Sequence, residues 1–72
     1  MFHYTNYANQ KFDILNKHKV YITKEQVENA LRQPLRLDKK GKYYFAYGEE
    51  VGVVYRLEDK IKIIITFFPL AE

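Results

Sequence analysis

Apolar positions change period along this chain. They recur at helical spacing in the first half and crowd into short β-branched and aromatic runs in the last third. Three such runs, Tyr43–Tyr47, Val51–Leu57 and Ile61–Phe68, read as consecutive strands. They are bounded by turn chemistry at Asp38-Lys39-Lys40-Gly41, Gly48-Glu49-Glu50 and Glu58-Asp59-Lys60. Connections this short leave no room for a crossover, so the three strands should pair antiparallel as a meander. In the third strand, strict alternation puts Ile61, Ile63, Ile65 and Phe67 on one face. It leaves Lys60, Lys62, Ile64, Thr66 and Phe68 on a mixed one.

The first half carries helix signals. Asn6 is the expected cap of a first helix, with Ala8, Phe12 and Leu15 at the i, i+4, i+7 spacing of one buried face, ending near His18–Val20. Thr23 followed by Gln26 is a capping box, with Ile22 and Val27 as its hydrophobic staple. Val27, Ala30 and Leu31 make the apolar stripe of this second helix, and Pro34 stops it. Leu35-Arg36-Leu37 then leads into the loop containing Gly41. With Met1–Tyr4 as a small added strand, residues 1–72 read as a single α+β domain: a short N-terminal strand, two helices, then the three-stranded antiparallel meander.

Composition sharpens this picture. A chain of 72 residues buries only about 60% of the surface its unfolded form exposes. Without cysteine it has no disulfide or thiolate metal site to supplement its core. A partner or a homodimer is therefore expected. The apolar run Ile63–Phe68 is far short of a membrane span, and no signal-peptide pattern opens the chain, which points to a cytoplasmic protein. Aromatics reach 17%, more than so small a core can hide, so some tyrosines belong at a surface or interface. Charge is uneven. Residues 1–42 hold nine Lys/Arg against four Asp/Glu, and residues 43–72 hold three against five. The basic half suits nucleic acid, an acidic partner or plain solubility.

The segment Val20-Tyr21-Ile22-Thr23-Lys24-Glu25-Gln26-Val27, running on to Pro34, resembles a family of short uncharacterised bacterial and archaeal domains. In those, a turn is followed by S/T-x-E-x-V, a second helix and a proline. Val53-Val54-Tyr55-Arg56 and Ile64-Ile65-Thr66-Phe67-Phe68-Pro69 are similar to that family's two closing strands, and Lys17-His18-Lys19-Val20 looks like the K-H-G-V step of BrnT toxins. Both groups resemble the RelE/ParE superfamily, which implies a β-α-α-β-β-β layout. The departures are Tyr7-Ala8 where the family opens its first helix with His-Ala, and Lys19 where BrnT has glycine.

The resemblance implies a toxin of a toxin–antitoxin system. Such a toxin is a metal- and cofactor-independent endoribonuclease acting on mRNA and neutralised by a cognate antitoxin protein. In that chemistry a base removes the 2′-hydroxyl proton and cations stabilise the charged transition state. Arg56 opposes the parity of Val53, Tyr55 and Leu57, so it is the candidate phosphate clamp on the mixed face with Lys62; its plainer role is an ion pair with Glu49 or Glu58. His3 is the candidate acid/base, and His18 a complement to the helix dipole. Tyr44, Tyr47 and Tyr55 are candidates to stack on bases or to pack in the core, and Lys17 and Lys19 to contact phosphates, alongside Lys39, Lys40 and Lys42. The alternative is a non-catalytic protein- or nucleic-acid-binding module of the same fold.

Overall fold

The computed structural model describes residues 2–70. It is an α+β domain with a helix layer on one side of a five-stranded sheet. The chain runs β1 (Phe2–Tyr4), α1 (Asn6–Lys17), α2 (Lys24–Arg32), β2 (Arg36–Lys40), β3 (Tyr43–Tyr47), β4 (Val51–Glu58) and β5 (Ile61–Pro69). Met1, expected to open the first strand, lies outside the described residues. Among the described residues, no helix is long and apolar enough to cross a membrane.

α1 starts at Thr5, one residue earlier than the expected cap at Asn6. The Thr5 hydroxyl accepts from the Ala8 N–H at 3.2 Å and donates to the Ile65 carbonyl at 3.2 Å, so one side chain caps the helix and ties it to β5. The helix closes in a Schellman turn: the Lys19 N–H bonds the Asn16 carbonyl and the Val20 N–H bonds the Leu15 carbonyl. That turn holds Lys19 at φ 61°. A left-handed residue there is the physical reason a glycine suits the position. In α2 both halves of the Thr23–Gln26 capping box form, at 3.1 and 2.9 Å. The staple residue Ile22 packs against the core.

The sheet corrects two expectations. Its strand order is β1-β5-β4-β3-β2, and β1 runs parallel to β5, so it is a mixed five-stranded sheet and not a purely three-stranded antiparallel meander. The extra strand is β2, where a loop was expected. Its sequence, RLDKK, has poor intrinsic strand preference. An edge strand needs only one neighbour, however, and charged side chains suit it. A tight two-residue turn with Gly41 at φ 61° folds β2 back onto β3, register Lys40↔Tyr43.

The second correction concerns side-chain direction in β5. Val54 pairs with Thr66 but Tyr55 pairs with Ile64, leaving Ile65 as the extra residue of a bulge. One inserted residue reverses parity. Ile64 and Phe67 therefore both turn toward the helices and are fully buried, whereas Ile61 and Ile63 turn the other way. The core joins them to Ala8, Val27, Ala30, Leu31, Ala46, Val51, Val53 and Tyr55, with the Phe12 ring against Phe67 at 4.3 Å. Helices cover only this face.

Candidate functional site

Register decides which candidate residues meet. On the bare face, His3 of β1 lies opposite Ile63 of β5, and Arg56 of β4 lies opposite the same Ile63. Two strand spacings put their backbones about 10 Å apart, with Ile63 between them. His3 is exposed and Arg56 partly so. The Arg56 guanidinium gives Nε and Nη2 to one carboxylate oxygen of Glu58, at 3.1 and 2.9 Å. This is an i, i+2 pair along the same strand, and a phosphate docking on Arg56 has to displace or share it.

The rest of the bare face is apolar and aromatic. Phe45, Val54, Ile63 and Phe68 stand half-buried on it, with no layer above them among the described residues. The Phe68 ring lies where a side chain at Gly52 would project, which is why Gly52 is buried in mid-sheet. Tyr47 meets Phe68 edge-on at 6.4 Å. Arg36 lies over the Tyr47 ring at 5.7 Å and is bonded to Asp38 at 3.1 Å; Lys40 lies over Phe45 at 5.9 Å. The interleaving of rings and cations thus continues onto β2.

Three of the expected site residues go to the other face. Lys62 pairs with Leu57 and Phe2, on the side the helices cover, so it does not share a face with Arg56 as parity had suggested. The bulge is the reason. Lys62 Nζ donates to the Leu31 carbonyl at 3.3 Å, completing the C-terminal end of α2 with a cation where the helix dipole is negative. Its ammonium also lies over the Tyr55 and Phe2 rings. Tyr44 and Tyr55 stack on each other at 5.1 Å, and Tyr55 is buried. Burial, then the neighbouring Tyr44, raises the Tyr55 hydroxyl above its ordinary pKa. Tyr55 is a core residue, and Tyr44 a ring shared between Tyr55 and Lys39.

Lys17 and Lys19 are exposed at the C-terminal turn of α1, in the helix layer and therefore across the sheet from His3 and Arg56. Arg36 is the residue that sequence reading passed over. The sequence reads it only as part of the Leu35-Arg36-Leu37 step that leads into the Gly41 loop, and its one local signal is its place between two leucines. The chain matches no family model, no curated protein and no solved structure.

Proposed function

We propose that the chain is a RelE/BrnT-like toxin domain, an endoribonuclease that meets mRNA on its bare sheet face. The observation that carries this reading is the placement of His3 and Arg56 on either side of Ile63 on the uncovered face. A phosphodiester lying across Ile63 is within reach of both side chains. Arg56 then stabilises the charge on phosphorus, and His3 takes the 2′-hydroxyl proton or returns it to the leaving oxygen. Tyr47 and Phe68 offer ring faces to neighbouring bases, with Arg36 and Lys40 toward the backbone. An antitoxin that covers the same apolar face both hides it from water and blocks RNA.

A second reading, a non-catalytic binding module of the same fold, is favoured by one specific observation. Both arginines on the face are already ion-paired, and Lys62 serves the end of α2 instead of the site. Tightly controlled expression in a bacterial host, with RNA integrity followed over the first minutes, separates the two. The toxin reading expects growth arrest with cleaved mRNA. His3→Ala and Arg56→Ala should each reduce cleavage by about 100-fold or more while leaving the fold intact. Normal growth with abundant folded protein rejects it in favour of the module. Binding to single-stranded RNA that weakens steeply with salt then identifies a nucleic-acid module. Salt-insensitive capture of a protein identifies an interaction module.

A further inference from the structure

We infer that β2 is the edge through which two copies of this chain pair antiparallel, in the register centred on Leu37. β2 ends the sheet, so among the described residues its outer backbone groups have no strand neighbour. Beside it, Leu35 and Leu37 are 71% and 51% exposed, a large apolar expense for a surface strand. An antiparallel two-fold pairing that keeps each side chain on its own face must be centred on a residue. Centring on Leu37 sets Arg36 opposite the second copy's Asp38 and Asp38 opposite its Arg36, and Leu37 against Leu37. Leu35 then meets the stem of the second copy's Lys39. Moving the centre to Arg36, Asp38 or Lys39 sets that charge against its own copy. Leu37 is thus the one centre within the strand's first four positions at which no like charges face.

The Arg36–Asp38 pair within each strand, at 3.1 Å, makes the junction stronger in this register. Four charges of alternating sign form a square, each with an opposite charge along its strand and another across the junction. Lysines 39 and 40, which discourage promiscuous edge pairing, stand clear of any like charge there. The pairing joins two five-stranded sheets into one, with both helix layers on the same side and both bare faces on the other. It is independent of whether the bare face takes RNA.

Sedimentation equilibrium across the micromolar-to-millimolar range tests the association, with circular dichroism to verify folding. The native chain is expected to dimerise. Arg36→Asp and Asp38→Arg, each alone, create like-charge contacts and should weaken dimerisation at least tenfold. Mixing the two variants restores opposite charges at both contacts and should recover a heterodimer. A native chain that stays monomeric throughout overturns the proposal. So does a dimer indifferent to both variants, which would place the contact elsewhere, such as on the bare face. Two weakened variants that fail to pair with each other would overturn the register.

Discussion

The two faces of the sheet are built from the same kinds of residue and finished differently. Toward the helices, Val53, Ile64 and Phe67 have no exposure, and the Lys62 ammonium ends on a helix carbonyl and aromatic rings. Away from the helices, Phe45, Tyr47, Ile63 and Phe68 stay half-open, and the cations lie over rings or beside carboxylates. In so small a domain the first face supplies the stability and the second is available for contact. The difference teaches that the two roles can be mutated separately, even at adjacent residues of one strand.

Phe67 and Phe68 make the sharpest test. Phe67→Ala empties a fully buried site against Phe12, and the expected loss is about 3–5 kcal/mol, enough to unfold a marginal domain. Phe68→Ala removes a half-exposed ring and should cost under about 1.5 kcal/mol, while impairing whatever binds the bare face. Urea titrations of the two variants settle it; equal losses would mean that the faces do not divide the labour. A smaller effect comes from the Tyr4 hydroxyl, which donates to Glu28 at 2.9 Å across the α2 side. Burial first, then that bond and the Glu28 charge, holds its pKa well above the ordinary value. The sign follows. The unfolded chain loses this proton near pH 10 while the folded one keeps it, so the stabilisation is whole below about pH 10 and drains away as pH rises through the folded value. Tyr4→Phe should cost about 1–3 kcal/mol at neutral pH and flatten the alkaline fall in the urea midpoint.

The helices and the three central strands were legible because each has a dense local signal: a capping box at Thr23, a proline at Pro34 and β-branched runs between turns. What the sequence concealed was non-local. β2 reads as a charged loop because its strand character comes from pairing with β3, not from its own side chains. The cap at Thr5 and the bulge at Ile65 are one connected feature, a hydroxyl bonded to the bulge carbonyl, and no residue near either announces it. That bulge is also why Lys62 lies on the covered face and not beside Arg56. Arg56 and His3 lie on strands that alternate uniformly and reach the same face, whereas the parity of Lys62 depends on counting through the bulge of β5.

One change should move stability without touching either face, which makes it the control for the rest. Lys19 closes α1 at φ 61°, and glycine adopts that conformation without the clash a side chain brings. Lys19→Gly should stabilise the domain by about 1 kcal/mol, seen as a rise of about 4–8 °C in the unfolding midpoint. RNA or partner binding should be unaltered. If binding falls as well, the Lys19 ammonium takes part in it from across the sheet.

The smallest effect on stability carries the most information about the bare face. Glu58 is 57% exposed in its bond to Arg56, so Glu58→Ala should change stability by less than about 1 kcal/mol. It does, however, release the guanidinium. If Arg56 serves a phosphate, freeing it adds one contact. Binding to single-stranded RNA should then tighten, and the slope of log K on log salt should steepen by about 0.7. Arg56→Ala should remove that gain in the Glu58→Ala background. If the pair is instead a finished piece of a protein-docking surface, Glu58→Ala leaves RNA binding unchanged and weakens the protein complex, since a lone guanidinium then has to be desolvated without its carboxylate. Fluorescence titrations with a labelled oligonucleotide at several salt concentrations distinguish the two. Glu58 therefore separates an RNA site from a protein interface more cleanly than Arg56, whose removal weakens both.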